Sequence, residues 1–437
     1  MRRLRAVLRT PCRCVVVLAV LALHGASAQS LSGSGSISGV VHDPSGALVP
    51  DALVVVSNDS NGVRRSLRTD SSGVFTIPAL PPASGYAVTV SKSGFSSHER
   101  VGIHVHVGED VNLLVALTLR ESEAKVTVEE VSAIAQTKID VSQVIGSSQI
   151  LNLPINGRRV ETYVLMTPAV VPDGTQGLFS FRGIAGGNAF LTDGNDTSNQ
   201  FFHENAGRTR IFTQISQDAV QEFQVLSSSY SAEYGRASGG IINTVTRSGS
   251  NSQYGTAYWF FRNRSLNARD PHSAINPPEW RHQAGGSLGG KIVPDKLFYF
   301  VNFEAHRRHF PLVNYLGRPP LFDPSGKFVG TCDTTKATPA QCAAALQFLQ
   351  RQFQVLDRSA DSELAFGRLD WMPSERHAVS ASFNYLRFLS PNGYQTQAVL
   401  TNGEGVGANG DSSVRTRYAR LSWRFVPTGS KINEVRF

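Results

Sequence analysis

The chain has 437 residues, with 42 Lys and Arg against 34 Asp and Glu, a formal net charge of +8, 41% hydrophobic residues and only 17% charged. That apolar fraction excludes a disordered chain, and no glycine-every-third pattern points to collagen. The length suits two to four domains at roughly 100–200 residues each, and low charge with 39 Gly and 24 Phe suits strands, turns and polar loops.

The basic balance suggests nucleic acid until it is located along the chain. Arg2, Arg3, Arg5, Arg9 and Arg13 all fall in residues 1–28, which hold no acidic residue, and without them the net charge drops from +8 to +3. No nucleic-acid partner is therefore expected. An apolar run over residues 14–23 follows these arginines, and Ala26-Ser27-Ala28 follows the run. A charged start, a short apolar core and an A-x-A site read as a cleaved secretory signal over residues 1–28, with Ala26 and Ala28 forming the cleavage motif. The run is well short of the ~20 residues a membrane helix needs. No later apolar run is as long, so a membrane role falls to a β-barrel. Cys12 and Cys14 leave with the signal, and they stand before and at the start of the apolar run, whereas a lipid-anchor cysteine follows it. The mature chain keeps Cys332 and Cys342, which are expected to form a disulfide in an exported protein. A zinc site would need further ligands beside them.

Residues 35–120 read as a small β-domain. Strand-like stretches at 37–41, 52–56, 74–77, 86–90 and 111–119 are rich in β-branched residues. Asp43-Pro44-Ser45-Gly46, Asp70-Ser71-Ser72-Gly73 and Pro81-Pro82-Ala83-Ser84-Gly85 separate them as turns, and this spacing suggests a sandwich. The pattern Gly39-Val40-Val41-x-Asp43-x-x-Gly46, with Val49-Pro50-x-Ala52, Thr69-Asp70-x-x-Gly73-x-Phe75 and Gly94-Phe95, resembles the carboxypeptidase regulatory-like domain. The resemblance implies a seven-stranded prealbumin-like sandwich, grouped with carbohydrate-binding-like folds and without catalysis of its own.

Residues 121–137 form a polar connector, and residues 138–250 are mixed, with a strand-like run at 220–225. Leu153-Pro154-x-Asn156-Gly157-Arg158, Phe181-Arg182-Gly183 and Phe190-Leu191-x-Asp193-Gly194 lead to Tyr230-Ser231-Ala232-Glu233-Tyr234-Gly235-Arg236-x-Ser238-Gly239-Gly240 and then to Ile241-Ile242-Asn243-Thr244-Val245-Thr246-Arg247-Ser248-Gly249. This set resembles the plug domain of Oar-like TonB-dependent outer-membrane receptors. The resemblance implies a small α/β plug inside a barrel of about 22 strands.

Residues 251–437 alternate strands with connections of two lengths. Strands are expected at 253–262, 281–292, 297–307, 363–371, 376–388, 414–425 and 431–437. The turns at 293–296, 372–375 and 426–430 are short, and the stretches 263–280, 309–362 and 390–412 are long. Long external loops and brief periplasmic turns are the rule of an outer-membrane barrel. Val379, Ala381, Phe383 and Tyr385 alternate with Ser380, Ser382 and Asn384, and Ala419, Leu421, Trp423 and Phe425 alternate with Arg420, Ser422 and Arg424. A lipid face and a lumen face require this period of two. Aromatics gather at strand ends, at Tyr258-Trp259-Phe260-Phe261, Trp371 and Trp423, as interface girdles do. Arg420 and Arg424, with Arg415 and Arg417 nearer the preceding loop, read either as a set that binds an anionic ligand or outer-leaflet lipopolysaccharide, or as a solvated lumen and loop surface.

Enzyme motifs fail on context. Gly285-Gly286-Ser287-Leu288-Gly289 satisfies G-x-S-x-G, and Gly285 to Lys291 most of a phosphate loop, but a turn and a strand follow where a helix is required. His104-x-His106 puts two imidazoles on one strand face. Without a third carboxylate or thiol it reads as an exposed strand face. Asp193-x-Asn195-x-Thr197 lacks the Gly and distal Glu of a calcium loop. No catalytic residue, cofactor or metal is assigned.

The expected fold is thus mainly β: a prealbumin-like sandwich, a small α/β plug, and the first strands of an incomplete antiparallel outer-membrane barrel. The resemblance implies uptake of an external small molecule, sugar or peptide, a siderophore or oligosaccharide for instance, at the outer membrane of a Gram-negative-type bacterium. It also implies a TonB-type energy-coupling protein in the periplasm that pulls a short segment before the plug, by adding it as a strand. Val126-Thr127-Val128-Glu129-Glu130 stands in that position. The alternative is a surface carbohydrate-binding or adhesion protein anchored by its β-rich part. Seven strands are about a third of such a barrel, and the sequence stops inside a strand, so it is expected to be a fragment of a longer chain.

Overall fold

The computed structural model describes residues 33–119, 126–128, 140–173, 178–198, 211, 213–269, 276, 278–311, 331–333, 335–352, 356–393, 410–428 and 431–437. The signal motif at Ala26 and Ala28, and Glu129 and Glu130 of the coupling segment, lie outside the described residues.

The first body is a sandwich of β1 (Gly35–His42), β2 (Leu53–Asn58), β3 (Val63–Arg68), β4 (Val74–Leu80), β5 (Ala83–Ser91), β6 (His98–Val105) and β7 (Asp110–Ala116). One sheet runs β4-β1-β7 and the other β3-β2-β5-β6. Alternation drives it: every second residue of β2 is buried, so Val54 and Val56 meet Ile37, Phe75, Tyr86 and Val88 between the sheets. The two Asp-x-x-Gly turns have one cause. The Asp43 carboxylate accepts the Ser45 and Ala47 amides at 2.8 and 2.9 Å, and Asp70 accepts those of Ser72 and Val74 at the same distances. Each turn then closes on a glycine in the left-handed region. At Gly73 a Cβ would also lie 2.8 Å from the Val41 carbonyl. The sequence reading missed β3 as a strand, because its exposed face carries Arg64, Ser66 and Arg68 and only Val63 and Leu67 mark the core side.

The central body contains β9 (Val141–Ile145), the helix α1 (Ser147–Asn152), 3-10 turns at Asn156–Arg158 and Val160–Met166, and a small ladder of β10 (Val170–Pro172), β11 (Phe179–Phe181) and β12 (Ile184–Ala185). Then follow β13 (Ala189–Thr192), β14 (Asn195–Asp196), β15 (Val220–Ser228) and β16 (Ile241–Thr246). Its main sheet runs β14-β13-β16-β15-β9, with β13 and β16 parallel and the other pairs antiparallel. The Tyr-Ser-Ala-Glu-Tyr-Gly-Arg run is the β15–β16 connection. It is closed by Tyr230 donating to the Ala237 carbonyl at 2.9 Å and tied to β14 by Arg236 and Asp196 at 2.8 Å.

The third body is a wall of β17 (Tyr254–Asn263), β18 (Trp280–Val293), β19 (Leu297–His309), β20 (Ser359–Ser374), β21 (His377–Ser390), β22 (Ser412–Thr428) and β23 (Lys431–Arg436). The strands pair antiparallel in chain order as an open sheet. All seven expected strands are present. The turn assigned to residues 372–375 is shorter, since β20 runs through Ser374 and only Glu375 and Arg376 remain between the strands. Within the expected loop at 309–362, α2 (Pro339–Gln352) forms. Thr338 and Gln341 cap it reciprocally, each side chain accepting the other's backbone N–H, with Pro339 at its first position.

The wall has two faces. Val301, Phe303, Leu369, Phe383 and Leu421 are exposed on one side, whereas Asn302, Glu304, Asp370 and Asn384 are buried on the other. Aromatics mark two levels of the exposed side. Trp371, Val379 and Trp423 face one another across β20–β22 near the short turns, and Trp423 stacks on His377 at 5.9 Å. Toward the long loops, Trp259 stacks on His282 and Trp280 on His309, both at 5.8 Å. Leu297, opposite Trp371, and Arg307, opposite His282, are ten positions apart on β19. That is about 33 Å along a strand, or about 25 Å of membrane depth at a ~40° tilt, the height of a barrel's apolar band. Among the described residues no helix is long and apolar enough to cross a membrane.

Candidate functional site

The buried face of the wall holds the central body through polar contacts. Glu304 of β19 accepts from Ser216, Tyr258 and Gln283, each at 2.6 Å. Asp218 accepts from Arg158 at 2.7 Å and from Thr256 of β17 at 2.8 Å, and the Arg158 guanidinium lies 4.0 Å over the Tyr258 ring. Arg368 donates to the Thr246 hydroxyl at 2.8 Å, Ser248 to Asp370 at 2.6 Å, and Asn384 to the Gln214 carbonyl at 3.1 Å. Phe300 and Phe366 are the wall's contribution to the central apolar core. Alternation makes this arrangement: the strands that show lipid a phenylalanine turn the next residue inward.

At the short-turn end the sandwich, central body and wall enclose a cavity of about 290 Å³, lined by Asp193, Arg368, Asp370, Arg420, Arg424 and Glu434 among others. Each arginine has a carboxylate. Arg368 lies 2.8 Å from Asp370 and 3.7 Å from Asp193, Arg420 lies 3.8 Å from Asp193, and Arg424 and Arg436 lie 3.3 and 2.7 Å from Glu434. Arg420 also donates to Ser382 and to the Thr192 carbonyl. Arg420 ties β22 to the central body, and Arg424 pairs with Glu434 within the wall, so these two are engaged rather than free lumen charges, while Arg415 and Arg417 are exposed, as the surface reading expects. Arg417 lies 5.9 Å from the Tyr385 ring centre.

The sandwich docks at this end. Asn251 bonds the Ser60 and Asp59 carbonyls, both at 2.7 Å, Met372 packs on the sandwich core, and Arg424 reaches the Ala79 carbonyl at 3.1 Å. Burial, with Arg424 beside it, pulls the Arg65 guanidinium of β3 down to about 10.

Of the coupling segment, Val126, Thr127 and Val128 form a short strand, β8 (Val126–Val128), parallel to β6 through the pairs His98–Val126, Glu99–Thr127 and Arg100–Val128. It ends the sheet β3-β2-β5-β6-β8. His98 is pushed below its ordinary value by burial and then by the Arg100 charge. Cys332 and Cys342 are joined as a disulfide with Cα atoms 6.1 Å apart, fixing α2 to the chain before it. Ser287 sits mid-strand, its hydroxyl 2.8 Å from that of Thr256. The glycines around it make room for tyrosines from β17, since a Cβ on Gly285 would lie 2.5 Å from the Tyr258 hydroxyl and one on Gly289 2.7 Å from the Tyr254 ring. The sequence reading missed Glu222, the carboxylate beside His104 and His106. No short-range signal links residues more than a hundred positions apart.

Comparison with known proteins supports this anatomy. Residues 36–118 match the carboxypeptidase regulatory-like domain, and residues 245–437 match an outer membrane beta barrel domain. The TonB-dependent transporter Oar of Myxococcus xanthus is 25% identical over 396 residues, covering 84% of this chain and 35% of that protein. The chain therefore spans about a third of the length of that curated relative. Solved structures with similar coordinates include the ferric enterobactin receptor of Pseudomonas aeruginosa (15% identity, TM-score 0.44, 66% of this chain and 39% of that one). The siderophore receptor PirA of Acinetobacter baumannii is another (14%, 0.41, 70% and 45%). The chain thus carries a region matching the carboxypeptidase regulatory-like domain and one matching an outer membrane beta barrel domain, is similar over most of its length to the TonB-dependent transporter Oar, and has its place in the outer membrane.

Proposed function

We propose that the protein acts as a TonB-dependent receptor, taking up an external ligand such as a ferric siderophore or an oligosaccharide, with residues 138–250 as its plug and residues 126–130 as the segment pulled by the periplasmic coupling protein. The observation that carries this reading is the two-faced wall: an apolar outer side with two aromatic levels, and a polar inner side bonded to the central body. A body held by hydrogen bonds can exchange them for water at a net cost of only about 1 kcal/mol each, which suits a plug that must rearrange under a pull. β8 is an end strand, so a partner can add to its outer edge or displace its three-residue ladder by the same backbone pairing. Removal of residues 1–28 during export precedes all of this.

The position of the sandwich supports transport over adhesion. It docks at the short-turn end, which in outer-membrane barrels faces the periplasm, away from external surfaces. We assign the protein no catalytic step. The test is accumulation of iron-labelled siderophores and labelled oligosaccharides by cells producing the protein. Accumulation of one class should collapse when the inner-membrane proton gradient is dissipated, while surface binding persists. Accumulation indifferent to that gradient would overturn the reading.

A further inference from the structure

The sandwich and the central body meet at a cluster of metal-ligating side chains. His104 of β6 and His106 just beyond it are two positions apart and share a face, with ring centres 4.1 Å apart. Glu222 of β15 comes from the other body. Its side chain is only 3% exposed, and its Oε2 lies 2.8 Å from His106 Nδ1. Its other oxygen, Oε1, accepts the Val107 backbone N–H at 2.6 Å. That bond fixes the carboxylate, so Oε2 is held toward the imidazoles. One ligand atom from each of the three residues lies within 4.8 Å of the others.

We propose that His104, His106 and Glu222 bind a zinc-type divalent transition-metal ion that cross-links the sandwich to the central body. Two imidazole nitrogens and one carboxylate oxygen are a borderline donor set, which suits zinc and its neighbours and disfavours calcium and magnesium, whose ligands are all oxygen. Tetrahedral coordination at ~2.0–2.1 Å sets donors about 3.4 Å apart, so the cluster needs only side-chain rotation to close. His106 is 30% exposed, which leaves a side of the cluster open for water as a fourth ligand. One carboxylate against a doubly charged ion leaves a single net positive charge at a solvent-facing edge, a modest electrostatic demand. Two ligands come from the sandwich and one from the central body, so occupancy stabilises the docked arrangement by mass action. The inference stands on these three residues and is independent of the transport reading.

A plain hydrogen-bonded docking contact between His106 and Glu222 is the competing account, and zinc binding separates the two. Untagged, folded protein is titrated with zinc chloride after chelator treatment, with bound zinc and thermal midpoint both measured. The proposal expects one saturable equivalent and a zinc-dependent rise in the midpoint. It also expects at least a tenfold loss of affinity in His104→Phe, which keeps a ring at that position, and in Glu222→Gln, which keeps an oxygen for the Val107 N–H. If Glu222→Gln does not fold, His104→Phe with X-ray absorption of the wild-type complex decides: imidazole ligation lost in the variant supports the site. Absence of saturable zinc binding, or binding unchanged in the folded variants, overturns it.

Discussion

Arg424, near the short-turn end of β22, donates from Nη1 to the carbonyl of Ala79 at 3.1 Å, joining the wall to the sandwich across 345 positions of sequence. Arg65 donates to the same carbonyl at 3.2 Å and to that of Pro78 at 2.6 Å, so two guanidiniums converge on one edge of β4. Arg424→Ala should remove one tie, worth about 1–2 kcal/mol, and loosen docking without unfolding the sandwich. Hydrogen exchange would show faster opening at the surface around Ala79, with core amides such as Val54 unchanged. Unchanged exchange around Ala79 would argue that the docking rests elsewhere.

Glu304 should matter more to the wall than any single exposed charge. Replacing it with Ala strands three donors, the buried Ser216 and Gln283 and the half-buried Tyr258, at a cost of about 2–4 kcal/mol, whereas Gln retains an acceptor and should cost less. Thermal unfolding of the folded protein in detergent checks the order wild type, Glu304→Gln, Glu304→Ala.

Lipid exposure of the outer face predicts a dependence on depth. Phe383, midway along β21 and exposed, should cost about 2–4 kcal/mol when changed to Arg, and Trp423, at the aromatic level near the turns, about 0–1 kcal/mol. Folding titrations into bilayers measure both. Equal penalties would contradict a membrane-facing wall.

Much of this anatomy was legible in the sequence because it rests on short-range rules. Period-two alternation identified the seven wall strands, and Asp-x-x-Gly turns delimited the sandwich. What stayed hidden falls into two kinds. Strand β3 was missed because a wet edge strand carries arginines where a core strand carries valines, and α2 because its Thr338-Gln341 capping box lay inside a stretch already assigned to a loop. The pairing of Glu222 with His104 and His106, and of Arg424 with Ala79, depends on how separate bodies dock, which no local pattern encodes.

His98 gives the pairing of β6 with β8 a pH dependence. Burial and the Arg100 charge hold its folded value below the ordinary ~6.5, so the unfolded or undocked form binds protons more readily. Stability therefore rises with pH across this window and is lost as pH falls through about 6.5 toward the lowered folded value. Amides of residues 126–128 should exchange faster at pH 5.5 than the intrinsic rate change explains, relative to pH 7.5, and His98→Gln should abolish that difference.

The measurement that bears most directly on the transport account is uptake by cells producing the protein with residues 126–130 deleted. The account predicts that surface binding of ligand persists while accumulation falls to the level of cells lacking the coupling protein. Accumulation equal to that of the undeleted protein would contradict it.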